Sequence, residues 1–116
     1  MVKLLNLSAG FLLFSTAAFA DGHLVEEGKE LYLTHCANCH GTDGSGNGTA
    51  GQNLTPPPAD LTEALKKKII SDEYLLWTIK EGGRNVHTQM PSFEESGEID
   101  QNDAKAIINY LWSAFK

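Results

Sequence analysis

The five residues Cys36-Ala37-Asn38-Cys39-His40 constrain this chain more than anything else in it. They form C-x-x-C-H, the attachment signal of a c-type haem. The spacing has a mechanical reason: two thiols three residues apart at a helix end can each add to one vinyl group of a porphyrin, while the adjacent imidazole faces the iron. Both cysteines of the chain are thereby used. Each rival reading lacks a partner. A structural zinc site needs four ligands, and the next histidine after His40 is His87, far outside finger spacing. A thioredoxin-like dithiol needs a parallel sheet that the sequence does not offer, and a plain disulfide leaves His40 unexplained.

With His40 on one side of the iron, the residue on the other side decides the chemistry. Apart from Met1, the only methionine is Met90. It stands in a loop, is followed by Pro91, and lies 50 residues beyond His40, enough chain to return across a haem. A thioether ligand favours ferrous iron, raises the potential and leaves no open position for oxygen, peroxide or substrate. Set against this, a lone methionine is commonly a core filler. Histidine is the competing ligand type. His23 and His35 precede the motif, and His35 is too close to Cys36 to cross the ring. His87, three residues before Met90, would give bis-His ligation if its loop moved, and is otherwise a solvent-facing loop residue.

The amino terminus reads as an export signal. Lys3 supplies a positive start, Leu4 to Phe19 an apolar stretch broken by Asn6, Ser8, Ser15 and Thr16, and Ala18-Phe19-Ala20 an A-x-A cleavage site. Cleavage is expected between Ala20 and Asp21, giving a signal peptide at 1–20, one domain at 21–116, a periplasmic location and no stable membrane insertion afterwards. An uncleaved anchor is the alternative, and the run is short for one. The residue directly after the cleavage site is Asp21 and not a cysteine, which argues against a lipoprotein. The remaining 96 residues carry eight Lys and Arg against fifteen Asp and Glu, a formal charge of −7, so nucleic acid is excluded as a partner. So small a chain buries a modest core, which a cofactor would complete.

Leu24, Gly28, Leu31, Tyr32 and His35 share one face of a helix over about 23–35, and Ala104, Ile107, Ile108, Leu111, Trp112 and Phe115 share one face of another with Asp100 as N-cap. Asp60-Leu61-Thr62-Glu63 has capping-box spacing for a short helix, and Ser71 caps a further one over 72–81 that ends at Gly82-Gly83. Gly41 to Ala59, with five glycines and Pro56-Pro57-Pro58, is a loop, as is Arg84 to Gly97. No run alternates as a strand would. The expectation is an all-α fold of about four helices wrapped around one covalently bound haem, with long Gly/Pro-rich loops that line it. Gly44 to Gly48 follows no strand and has no lysine, so it is not a phosphate cradle; Leu54 stands where a calcium loop needs its glutamate. Lys66-Lys67-Lys68 is either a solvated turn or a steering patch.

Over nearly all of residues 24–116 the chain resembles the class I c-type cytochromes. Gly28 and Tyr32 match the glycine and aromatic of that family's first helix, Tyr110 and Ile107 the terminal-helix residues packed across them, and Cys36, Cys39, His40, Gly41 and Met90-Pro91 the haem site. Asn53 to Leu61 is similar to the bacterial branch that includes diheme and dehydrogenase-linked cytochromes. The resemblance implies that Pro58 or Pro57 accepts a hydrogen bond from His40 Nδ1, and points to Trp77 or Arg84 for a haem propionate. It implies a one-electron carrier with His40/Met90 ligation, not an enzyme, monomeric rather than dimeric. Its partners would be redox proteins: a dehydrogenase, a cytochrome complex or a terminal oxidase. Two alternatives are a haem c subunit held permanently in a dehydrogenase or oxidase complex, and a ligand-binding sensor or peroxidase with open iron.

Overall fold

Gly28 organises the packing. A Cβ added there would overlap the Ala106 carbonyl oxygen and stand 2.5 Å from its carbon, so the first and last helices touch backbone to backbone at this point. In a computed structural model describing residues 2–5, 8–12 and 17–116, these are α1 (Ala17–His35) and α6 (Gln101–Phe115). Between them lie α2 (Ala37–His40), a 3-10 turn at Thr49–Gly51, α3 (Leu61–Ala64), α4 (Asp72–Glu81) and α5 (Phe93–Ser96). The fold is all-α, with no strand among the described residues.

The core forms where α1, α4, α5 and α6 meet. α6 contributes Ala104, Ile107, Ile108 and Leu111, all buried at the helical spacing read from the sequence, together with Ala106, which lies off that stripe; Trp112 and Phe115 are partly buried against the same core. From α1 comes Tyr32, fully buried, with its ring 5.4 Å from Tyr110 and 5.3 Å from Phe115 between centroids. α4 adds Leu75 and Ile79, one turn apart, and Leu65, Phe93 and Ile99 complete the cluster. Trp112 ties α6 to α4 by donating from Nε1 to Asp72 Oδ1 at 2.6 Å.

Local signals set most helix ends. At α6, Asp100 Oδ1 accepts the Asp103 N–H at 2.8 Å and Asp103 Oδ2 accepts the Asp100 N–H at 3.0 Å, a reciprocal capping box. At α4, Ser71 Oγ accepts the Tyr74 N–H at 3.1 Å, and Gly82 at φ 61° stops the helix. At α3, Asp60 Oδ1 accepts the Thr62 N–H at 2.9 Å, while Glu63 turns to Lys66 at 2.8 Å instead of back to the cap.

Two expectations need correction. α1 starts at Ala17, not near residue 23, because apolar periodicity marks the face that packs while the alanine-rich sequence before it is itself a good helix former. The helix runs through the position expected for cleavage, and Leu13 to Thr16 of the expected signal lie outside the described residues. The segment 84–97 is not all loop: Ser92 Oγ accepts the Glu95 N–H at 3.2 Å and caps α5, which Gly97 ends at φ 70°. Among the described residues no helix is long and apolar enough to cross a membrane.

Candidate functional site

The C-x-x-C-H residues sit on a single turn suspended from α1. Cys36 N–H still bonds to Tyr32 O at 2.8 Å, and Cys36 O then accepts from the backbone N–H groups of Cys39 at 3.2 Å and His40 at 2.9 Å. This turn is α2, and its spacing brings Cys36, Cys39 and His40 to neighbouring positions. Gly41, at φ 80°, ends the turn. Its carbonyl accepts a 2.6 Å hydrogen bond from the Tyr32 hydroxyl, whose pKa is raised by burial, so it stays a donor. Tyr32 thereby locks the end of the motif to the core.

The glycine-rich loop wraps back onto this turn. Gly46 N–H bonds to His40 O at 2.8 Å and Gly48 N–H to Cys39 O at 3.1 Å, satisfying carbonyls that the short helix leaves free. A Cβ at Gly48 would be 2.5 Å from the Asn38 carbonyl carbon, and one at Gly51 2.9 Å from Cys39 O. These glycines serve close approach of backbone to backbone, a role the sequence analysis did not give them.

His40 Nδ1 lies 3.0 Å from the Ala59 carbonyl. A carbonyl can only accept, so Nδ1 carries the proton and the Nε2 lone pair is left free. The partner is Ala59, not Pro57 or Pro58. A Cβ on Gly46 would lie 2.7 Å from Pro58 O and 3.3 Å from Ala59 O, so the bare backbone of Gly46, itself bonded to His40 O, lets the Pro58-Ala59 segment seat close beside His40. Burial pushes the His40 pKa below the usual imidazole value, against the opposing pull of the Ala59 bond, which favours a neutral ring. Cys36 and Cys39 are free, half-buried thiols. Burial, reinforced by Cys39, pushes Cys36 up to about 12, so it is a protonated thiol at neutral pH.

Met90 comes from the far end of the chain. Its carbonyl accepts from the Gly83 N–H at 2.9 Å, and its half-buried side chain packs on the same hydrophobic core as Cys36. His87 is exposed and has φ 57°. His35 ends α1 with Nδ1 3.6 Å from Glu98 and its ring edge-on to Phe93, while His23 is exposed on α1. Arg84 is held between Glu81 and Glu95, at 2.6 and 3.8 Å. Trp77 lies beside Tyr74 on α4, both partly exposed. Lys67 and Lys68 are exposed.

This donor set fits a c-type haem. Two unbridged thiols on one turn are available for two thioethers, an imidazole nitrogen is free beside them, and a soft thioether reaches the same core. Two contributors escaped the sequence analysis: Ala59, which has no local signal, and Ser92, whose signal was the spacing Ser92-x-x-Glu95 before Gly97.

The family profile for cytochrome c oxidase, cbb3-type, subunit III matches residues 23–111. Among curated relatives, the cbb3-type cytochrome c oxidase subunit FixP of Sinorhizobium medicae is 41% identical over 83 residues, covering 72% of this chain and 23% of the relative. FixP of Rhizobium meliloti is 32% identical over 88 residues, covering 76% and 25%. Cytochrome c6 of Cladophora glomerata is 25% identical over 92 residues, covering 79% of this chain and 90% of the relative. The chain spans about a quarter of the length of the oxidase subunits it matches. No solved structure matches it.

Proposed function

The chain belongs to the family of cbb3-type cytochrome c oxidase subunit III, a family of c-type cytochromes, and from that premise we propose that it is a one-electron carrier. Its cofactor is a covalently bound haem c. When bound, that group supplies reversible one-electron chemistry at its iron. In this reading Cys36 and Cys39 would hold the haem through thioethers, and His40 and Met90 would be the ligands of its iron.

The observation that carries the reading is the state of the motif turn: two unbridged thiols, with the His40 ring fixed by Ala59 so that only Nε2 is free. The Ala59 carbonyl orients the imidazole and increases its donor strength. Tyr32 and the glycine loop hold the turn so that ligands need not rearrange between oxidation states. Met90 would supply the second protein ligand and leave no open position for small molecules, so no substrate bond would be made or broken. The leader at 1–20 would deliver the chain to the periplasm, where haem of this type is attached in bacteria.

Two kinds of carrier are consistent with the relatives. Cytochrome c6 is matched over nearly its whole length, which supports a freely diffusing carrier. FixP is a cbb3 oxidase subunit, which supports a haem module delivering electrons inside an oxidase complex. We favour the diffusing carrier, on the match to cytochrome c6 over nearly its whole length. A surface with a formal charge of −7 once the leader is removed would dock on a basic face of its redox partner. The test is stopped-flow reoxidation of the reduced holoprotein by a purified terminal oxidase. Rapid single-electron transfer is expected, with a rate that falls as salt is raised. No transfer to any oxidase or cytochrome, or association with an oxidase that survives purification, would replace the diffusing-carrier reading.

A further inference from the structure

One polar side chain is buried in the strap that joins α4 to α5. It is Ser92, 8% exposed, two residues after Met90. Its hydroxyl donates to the Lys80 carbonyl at 2.7 Å, one of the last carbonyls of α4, which the helix cannot satisfy itself. The same oxygen accepts the Glu95 N–H at 3.2 Å as the N-cap of α5. On the other side of Pro91, the Met90 carbonyl takes the Gly83 N–H at 2.9 Å. A Cβ on Gly82 would lie 2.5 Å from the Pro91 carbonyl carbon and 2.6 Å from Met90 O, so the strap rests directly on the end of α4. Met90 is thus held between two latches to one helix end, Gly83 before Pro91 and Ser92 after it. Pro91 has a fixed φ and no donor, so it adds stiffness but no hydrogen bond through its nitrogen.

We propose that Ser92 is a positioning residue: its hydroxyl latches the Met90 strap to α4 and sets how often Met90 leaves the iron. The proposal rests on the assignment of Met90 as an axial ligand. Removing the hydroxyl deletes one hydrogen bond and strands the Lys80 carbonyl, which shifts the closed-to-open balance of the strap by about tenfold. Exogenous imidazole can bind only where Met90 has left, so its apparent affinity reads that balance directly.

The experiment is an imidazole titration of the ferric holoprotein, followed by absorption, for the wild type and for Ser92→Ala, Ser92→Gly and Ser92→Thr. Glycine remains a serviceable N-cap, so Ser92→Gly removes the latch while sparing α5 and covers the case in which the alanine variant fails to fold. Imidazole should bind Ser92→Gly and Ser92→Ala roughly tenfold more tightly than the wild type, with Ser92→Thr close to wild type. Equal affinity in Ser92→Gly and wild type would overturn the latch. Tighter binding in Ser92→Thr as well would assign the effect to packing and overturn the role of the hydroxyl. A wild-type protein without the far-red sulfur-to-iron band overturns the Met90 assignment itself, before any variant is compared.

Discussion

Met90→Ala is expected to lower the midpoint potential on the order of 100–200 mV, a fraction of the roughly 0.8 V that axial ligands span. The thioether stabilises ferrous iron relative to ferric, and a water or a nearby nitrogen in its place does not. The same substitution opens a coordination position, so the reduced variant should bind carbon monoxide at neutral pH while the wild type does not. A potentiometric titration and a carbon monoxide difference spectrum check both. An unchanged potential and spectrum would show that another residue occupies the position. His87 is then the first candidate, although its exposed side chain would have to be carried inwards with its loop.

Gly28→Ala is expected to destabilise the protein by about 2 kcal/mol, and two opposing effects decide the sign. Helix propensity alone favours alanine by about 1 kcal/mol. Against that, the added Cβ meets the backbone of Ala106, which no rotamer change can move aside. Separating α1 from α6 at their crossing costs about 3 kcal/mol, the upper end of the usual range for overpacking. For a domain of this size the net effect lowers the melting temperature by about 8–16 °C. Thermal unfolding of the holoprotein, followed by circular dichroism, measures it. A melting temperature equal to or above that of the wild type would contradict the close crossing.

The sequence disclosed elements whose causes are local and hid those whose causes are tertiary. α4 follows the expected bounds because Ser71 and Gly82 are themselves the start and stop signals. α6 is equally legible, since its cap and its buried stripe agree. α5 is hidden in the sequence because a four-residue helix has no period, although Ser92 and Glu95 carry its cap. The C-x-x-C-H spacing and the single later methionine are what single out Cys36, Cys39, His40 and Met90 as the proposed haem residues. Ala59 is not legible: its carbonyl reaches His40 across 19 residues of chain, a tertiary contact with no local signal. The glycines at 48 and 51 are likewise opaque, because what they permit is close approach to the backbone of the Cys36–His40 turn and not a local bend. The resemblance implies that Tyr110 and Ile107 pack across Gly28 and Tyr32: Tyr110 does so, Ile107 shares one buried cluster with Tyr32, and the backbone that Gly28 meets is that of Ala106.

The most direct test of the account is the absorption spectrum of the purified ferric holoprotein in the far red. His40/Met90 ligation predicts a weak sulfur-to-iron charge-transfer band that disappears on reduction and is absent from Met90→Ala. A low-spin ferric haem without that band would contradict Met90 as the sixth ligand, and a high-spin one would contradict the closed coordination on which the carrier assignment depends.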